Sequence, residues 1–259
     1  MMFENKIALV TGSTSGLGEA ISKKLAQEGA QGLVITGRDL KRGEKVVSEI
    51  QEMGCQAIFK AADLEDVNQC RALFEIIDDE FDGKIHGLVN SAAYTGRGTI
   101  EETAVSEWDK HQAVNVRAPF ILIQEAVRRM QKQGISGSIL NIGSVSGHAG
   151  FPFLTPYACS KGALITLTKN VAQSQREHRI RCNAILPGWM DTPAEHAIQK
   201  EYYNAPDDWL EKAEAEQAFG KLVKPDEVAD LVALILSDRG GVMTGSIIDY
   251  DQKVIGAQQ

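Results

Sequence analysis

Short apolar runs alternate with longer amphipathic segments along the whole chain. The runs are about five residues long and apolar on both faces, which is typical of strands buried in a parallel sheet. This pattern predicts seven strands, at residues 6–10, 32–36, 56–60, 85–90, 138–142, 180–186 and 246–249.

Between these runs apolar residues recur at helical spacing, as Leu17, Ile21 and Leu25 do before Gly29. Further helices are predicted at about 39–53, 66–81, 106–132, 156–175 and 225–237. This alternation predicts an α/β fold, namely a doubly wound (Rossmann) seven-stranded parallel sheet with helices on both faces. No linker or repeat interrupts the pattern, so residues 1–259 are expected to form a single domain.

Charge and cysteine usage restrict the class of protein. The formal net charge is −8 with no basic block, which disfavours nucleic acid and anionic membranes as partners. The N-terminal apolar run is too short for a signal peptide, and no stretch has the length of a membrane span. The four cysteines have neither CxxC spacing nor metal-ligand pairing with histidine. They indicate reduced thiols, a cytoplasmic protein and no metal site.

A glycine-rich turn, TGSTSGLG at residues 11–18, joins the first strand to the first helix. Gly12 permits a tight turn, Gly16 lets the backbone approach a pyrophosphate, and Gly18 allows close helix packing. Free N–H groups at the start of a helix attract phosphate. The spacing differs from the general G-x-G-x-x-G pattern, so a purely structural turn is the alternative.

The stretch at residues 137–161 carries the candidate chemistry. Ser144 follows a predicted strand, and Tyr157 and Lys161 are i and i+4 on a helix that is expected to open near Thr155. A free phenol has a pKa of about 10, and a nearby ammonium lowers it toward a useful range. With a serine hydroxyl that binds the reacting oxygen, the three groups suit interconversion of a ketone and an alcohol. The alternative is a buried tyrosine beside a solvated lysine.

Six motifs in register make the chain resemble the short-chain dehydrogenase/reductase family along essentially its whole length. They are Gly12-x-x-x-Gly16-x-Gly18, Asp63-Leu64, Asn90-Ser91-Ala92-Ala93, Asn115, the Ser144–Tyr157–Lys161 set, and Pro187-Gly188. Ser91 and Ala93 depart from the family's N-N-A-G.

The resemblance implies a role for each matched residue. Tyr157 would be the acid/base, Lys161 would lower its pKa and bind the nicotinamide ribose, and Ser144 would orient the reacting oxygen. Asn115 would hold a water that passes protons to Lys161, or would simply mark a helix kink. The predicted cofactor contacts are Gly12, Ser13, Ser15, Gly16, Leu17, Gly18, Arg38, Asp63, Leu64, Asn90, Ala92, Tyr157, Lys161, Pro187, Gly188 and Thr192.

The residues after the second strand favour NADP(H), with NAD(H) as the alternative. Gly37 occupies the position where NAD-dependent relatives usually carry an acid, and Arg38 follows it. A guanidinium binds a phosphate through two hydrogen bonds. Asp39 is expected to cap the next helix instead of binding the ribose.

The resemblance implies an NAD(P)-dependent oxidoreductase acting on a small ketone, sugar or polyol. A 3-oxoacyl thioester reductase and a non-catalytic cofactor-sensing protein are the alternatives. Residues 189–219, rich in aromatic and acidic side chains, are expected to form a mobile substrate lid. Candidates to line the substrate pocket are Tyr94, His148, Phe151, Phe153 and Trp189.

Assembly is predicted from the last strand. Residues 246–250 would leave one sheet edge unpaired, and the helix before them is apolar beyond a single face. Relatives cover this region with further subunits, so a homotetramer is expected, and the alternative is a dimer with a disordered tail. The tail after Tyr250 is a candidate to reach a neighbouring pocket.

Overall fold

The computed structural model describes residues 1–148 and 150–256. Seven parallel strands form one sheet in the order β3-β2-β1-β4-β5-β6-β7. The predicted fold class is therefore confirmed. The strands are β1 (Ile7–Thr11), β2 (Gly32–Gly37), β3 (Gln56–Ala61), β4 (Gly87–Asn90), β5 (Ser138–Ile142), β6 (Arg181–Pro187) and β7 (Ile247–Tyr250).

The predicted helices are present, and the segment at 189–219 contributes two short ones, α7 and α8. The helices are α1 (Gly16–Gln27), α2 (Leu40–Glu52), α3 (Val67–Phe81), α4 (Val105–Gln112), α5 (Ala118–Gln133), α6 (Thr155–Gln175), α7 (Pro193–Glu201), α8 (Trp209–Ala215) and α9 (Pro225–Leu236).

One predicted helix differs from the structure. The span 106–132 was expected to be a single helix, but a π-helical turn at Ala113–Arg117 separates α4 from α5. Asn115 lies in this turn, buried, with its side-chain amide bonded to groups outside its own helix. Such a turn widens the helical ladder locally and is common at functional sites. The role of Asn115 itself stays a prediction.

Side chains of β1 alternate between two cores, one on each face of the sheet. Ala8 and Val10 pack with residues of α1, α2 and α9. Ile7 and Leu9 pack with residues of α3, α5 and α6. Because successive side chains of a strand point to opposite faces, a strand covered on both sides must be apolar throughout.

The order of connection reverses at β1. The chain runs outward from β1 through β2 to β3, and then crosses back to β4 on the other side of β1. Ligands of open parallel sheets bind in the crevice at the carboxyl ends of the strands beside such a reversal. The glycine-rich turn follows β1 directly, so the fold places it in this crevice.

No helix within 1–148 and 150–256 is long and apolar enough to cross a membrane. The same ranges hold no group of three His, Cys, Asp or Glu side chains suited to a metal ion. All four cysteines are free thiols. Of the tail after Tyr250, residues 257–259 lie outside the described residues.

Candidate active site

A cavity of about 660 Å³ opens at the carboxyl ends of β1, β2 and β4. Most of the residues predicted to touch the cofactor line it. They are Gly12, Ser15, Gly16, Leu17, Gly18, Arg38, Asp63, Leu64, Ala92, Tyr157, Lys161 and Thr192.

Steric fit explains the glycines of the first turn. Gly12 has a φ of +65°, and a Cβ there would lie 2.8 Å from the Ala92 Cα. A Cβ on Gly18 would lie 2.3 Å from the carbonyl oxygen of Gly12. Real Cβ atoms do not approach backbone that closely, so any side chain at either position would displace the turn. The turn brings the N-terminus of α1 to the cavity wall.

Ser13 lies outside the cavity lining although it was predicted as a cofactor contact. Its hydroxyl donates to the carbonyl oxygen of Val10 at 2.7 Å and accepts from the Thr36 amide at 2.9 Å. It therefore joins the turn to β2. The neighbouring Thr14, which the sequence analysis did not single out, lines the cavity instead.

Asn90, Pro187 and Gly188 also lie outside the lining. Asn90 is buried, and its amide group donates to Asn141 at 2.8 Å. Gly188 donates its backbone N–H to the carbonyl oxygen of Tyr250 at 2.9 Å, and a Cβ on it would collide with Asp251. These residues shape the strand ends, and their contact with a cofactor stays a prediction.

The predicted catalytic set comes together beside the cavity. Tyr157 and Lys161 are one turn apart on α6, and the Lys161 Nζ lies 5.6 Å from the centroid of the Tyr157 ring. Ser144, just beyond β5, accepts hydrogen bonds from the Ser146 amide at 3.2 Å and the Ser146 hydroxyl at 2.9 Å. Its hydroxyl thereby lies beside the phenol of Tyr157.

Burial sets the proton affinities of this pair. It raises the pKa of Tyr157 to about 12, and the Ser144 hydroxyl and the charge of Arg97 work against that rise. Burial also lowers the pKa of Lys161 to about 8. The Lys161 ammonium donates a hydrogen bond to the Ile142 carbonyl oxygen, 2.7 Å away.

Asn115 fixes the loop after β4. Its Oδ1 accepts from the Tyr94 amide at 2.7 Å, and its Nδ2 donates to the Tyr94 carbonyl at 2.9 Å and to the Ser160 hydroxyl at 2.9 Å. Both amide hydrogens are therefore committed to protein partners. A water held by Asn115 would have to use its oxygen atoms.

Of the five candidate pocket residues, Tyr94 alone lines the cavity, and Trp189 is partly exposed outside it. Tyr94 lines the cavity and donates to Glu107 at 2.7 Å. His148 bonds Asp249 at 2.8 Å and borders a separate shallow depression with Phe151. Phe153 is about half exposed.

Two charged groups that no sequence motif indicated, Arg97 and Glu195, influence the pKa of Tyr157. Arg97 belongs to the loop after β4 and Glu195 to α7, which lie far apart along the chain. The only sequence signal for Arg97 is its position between two glycines.

At the far end of the cavity, Arg38 and Asp39 follow β2. Asp39 caps α2 by accepting from the Arg42 amide at 3.0 Å, as expected. Arg38 lines the cavity, and no described carboxylate lies within 4.0 Å of it. A Cβ on Gly37 would lie 2.7 Å from the Thr14 side chain. An acid at position 37 is therefore excluded unless Thr14 moves.

Comparisons with known proteins agree with this architecture. A family model described as enoyl-(acyl carrier protein) reductase matches residues 12–252. An uncharacterized oxidoreductase of Thermotoga maritima is 35% identical, and the match covers 97% of this chain and 98% of that protein. The human (3R)-3-hydroxyacyl-CoA dehydrogenase is 33% identical, with coverage of 94% and 93%. The structure of L-sorbose reductase from Gluconobacter frateurii, complexed with NADPH and L-sorbose, superposes with a TM-score of 0.92 at 26% identity and covers 100% of this chain and 99% of its own.

Proposed function

Because this chain belongs to the short-chain dehydrogenase/reductase family of oxidoreductases, we propose that it is an NADP(H)-preferring enzyme that interconverts a ketone and a secondary alcohol. The observation that carries the proposal is one cavity with Tyr157 and Lys161 at one end and Arg38 at the other. The Gly12–Gly18 turn fits a pyrophosphate at the N-terminus of α1.

The proposed chemistry assigns proton transfer to the protein, while the nicotinamide supplies the hydride. Tyr157 is protonated at neutral pH because burial raises its pKa to about 12, so it can donate to the carbonyl oxygen in reduction. Ser144 hydrogen-bonds the same oxygen and stabilises the charge that develops there. The Lys161 ammonium, protonated below pH 8, stabilises the phenolate that remains.

The preference for NADP(H) rests on the residues after β2. Gly37 provides no carboxylate for a ribose 2′-hydroxyl, and Thr14 fills the space that a side chain there would need. No carboxylate of the described residues forms an ion pair with the guanidinium of Arg38, which is therefore available to a 2′-phosphate. NAD(H) remains the alternative.

For the substrate we propose a small ketone, sugar or polyol. A 3-oxoacyl thioester is the second candidate, favoured by the family model's description and by the similarity to a hydroxyacyl-CoA dehydrogenase. The presence of Tyr157, Lys161 and Ser144 at one site disfavours a non-catalytic cofactor sensor.

We also propose that residues 1–259 form a single domain, that residues 189–219 (the lid) close over the substrate, and that four chains associate as a homotetramer. A reducing compartment such as the cytoplasm suits the four free thiols.

The test is fluorescence energy transfer from tryptophan to NADPH, followed by turnover against a panel of carbonyl compounds. Binding of NADPH at least tenfold tighter than NADH, with reduction of at least one ketone, is the expected result. Nicotinamide binding without turnover of any carbonyl or thioester would instead support the cofactor-sensor alternative.

A further inference from the structure

Arg97 lies where the loop after β4 meets the lid. Its Nε donates to the Tyr203 hydroxyl at 3.0 Å, and its guanidinium carbon lies 5.4 Å from the centroid of the Tyr203 ring. Only 13% of the side chain is exposed. Contact with an aromatic face stabilises a guanidinium, so the lid holds this charge in one position.

The carboxylate of Glu195 faces Arg97 from the first turn of α7. Its Oε1 accepts from the Trp189 indole at 2.9 Å and from the Gln199 amide at 2.8 Å. Its Oε2 lies 4.0 Å from Arg97 Nη2, which is too far for a hydrogen bond. Within the described ranges, neither Oε2 nor Nη2 has a hydrogen-bond partner.

Both charges influence the phenol of Tyr157. Arg97 lowers the pKa of Tyr157 and Glu195 raises it. Both groups lie beside the cavity that Tyr157 lines, since Gly96 and Ala194, their neighbours in the chain, form part of its wall.

The gap between the two groups has the size of a hydroxyl. An oxygen placed about 2.8 Å from each of two atoms that are 4.0 Å apart makes an angle of about 90° with them. A hydroxyl can accept from the guanidinium and donate to the carboxylate at once. Donor and acceptor are both supplied by the protein, so a hydroxyl satisfies both groups.

Other substrate classes fit this gap less well. A carboxylate on the substrate would bind Arg97 but would also face the negative charge of Glu195. The methylene chain of an acyl thioester would displace water from both charged groups and offer no hydrogen bond in return. The desolvation of the two charges would then weaken the binding of such a substrate.

We propose that Arg97 and Glu195 recognise a hydroxyl group next to the reacting carbonyl, and that the substrate is a neutral hydroxy ketone or the corresponding polyol. This inference rests on the proposed function and selects one of the substrate classes named there. Arg97 and Glu195 are specificity-determining residues in this assignment.

The test compares 1,3,4-trihydroxybutan-2-one with butan-2-one, which share a carbon skeleton. We expect the wild-type kcat/KM with NADPH to favour the hydroxy ketone by about 100-fold or more, since unmatched polar groups in a site reject the analogue that lacks the hydroxyl. Glu195→Gln and Arg97→Met should lose about 10- to 100-fold with the hydroxy ketone and less than about threefold with butan-2-one. Glu201→Gln, an exposed acid at the end of the same helix, is the matched control. Equal losses on both ketones would overturn the proposal.

A binding measurement separates this inference from the proposed function. Tyr157→Phe loaded with NADPH is titrated with each ketone, and tryptophan fluorescence reports Kd because the Trp189 indole bonds Glu195. Tighter binding of the hydroxy ketone, weakened by Glu195→Gln, supports the assignment even where turnover fails. Equal Kd values for the two ketones would overturn it while leaving the oxidoreductase function intact.

Discussion

The ammonium group of Lys161 donates a hydrogen bond to the carbonyl oxygen of Ile142, the last residue of β5. The helix that carries Lys161 thus places a charge against the end of a central strand, where only 2% of the residue is exposed. One carbonyl offsets only part of the loss of hydration, and the pKa of Lys161 is therefore lowered to about 8. A buried group with a strongly shifted pKa is typical of a functional site.

Lys161→Met should stabilise the cofactor-free protein at neutral pH. The unfolded lysine binds its proton more tightly than the folded one, so the penalty is full below pH 8 and fades as the pH rises to 10.5. We expect the variant to be about 1–2 kcal/mol more stable in urea at pH 7, after the loss of one hydrogen bond is counted. This difference in the free energy of unfolding should disappear or reverse at pH 10, because the penalty falls by about 2 kcal/mol between the two pH values.

Lys169→Met on the same helix is the control, because Lys169 is exposed. Its effect on the free energy of unfolding should be small and independent of pH. If the difference in the free energy of unfolding between Lys161→Met and the wild type is the same at pH 7 and pH 10, Lys161 is not a buried ammonium with a lowered pKa.

Tyr157→Phe should abolish turnover and leave the Kd for NADPH within about threefold of the wild type. The ring packs in the wall of the cavity, whereas the hydroxyl serves proton transfer. Steady-state kinetics and fluorescence titration measure the two effects. A variant that keeps more than about a tenth of the wild-type kcat would show that Tyr157 is not the acid/base.

Arg38→Asp should move cofactor preference from NADPH toward NADH. Loss of a bidentate phosphate contact costs about 1.5–3 kcal/mol, which is roughly ten- to a hundredfold in Kd. The ratio of kcat/KM for the two cofactors is the measurement. Equal values for NADPH and NADH in the wild-type enzyme would refute this role for Arg38.

Ser13→Ala and Ser15→Ala should have opposite consequences. Ser13 forms one buried hydrogen bond with β1 and one with β2, so its loss should destabilise the protein by about 1–3 kcal/mol with little change in the Kd for NADPH. Ser15 lines the cavity and its side chain makes no capping bond, so its loss should weaken NADPH binding more than folding. Urea unfolding and NADPH titration of both variants distinguish the roles. A larger loss of NADPH affinity in Ser13→Ala than in Ser15→Ala would show that Ser13 contacts the cofactor.

Local patterns were sufficient to predict the strands, the glycine turn and the Tyr157–Lys161 spacing. Each depends on neighbours in sequence, namely two-sided burial, the steric needs of a turn, and the helical repeat. The partner of Lys161 could not be predicted in this way, because a backbone carbonyl has no signature in the sequence. The contact of Arg97 with Tyr203 joins the loop after β4 to the lid, which is more than 90 residues away in the chain, and no local periodicity encodes such a contact.

The last prediction concerns assembly at the β7 edge of the sheet. Among the described residues β7 pairs only with β6, so its other edge has no strand partner there, and Ile247 and Ile248 are only partly buried. Val242 and Val254, which precede and follow this strand in the chain, are exposed apolar side chains. Open edges of this kind invite pairing or must be covered.

We expect closed two-fold association into a tetramer, with a mass four times the 28.2 kDa of the chain by light scattering in moderate salt. Val242→Glu should reduce that mass by placing charges in the interface, whereas Lys169→Met should leave it unchanged. A mass of two chains would be consistent with a partner subunit that covers the β7 edge, but would exclude the tetramer. A mass of one chain at micromolar concentration would show that no second subunit covers this edge.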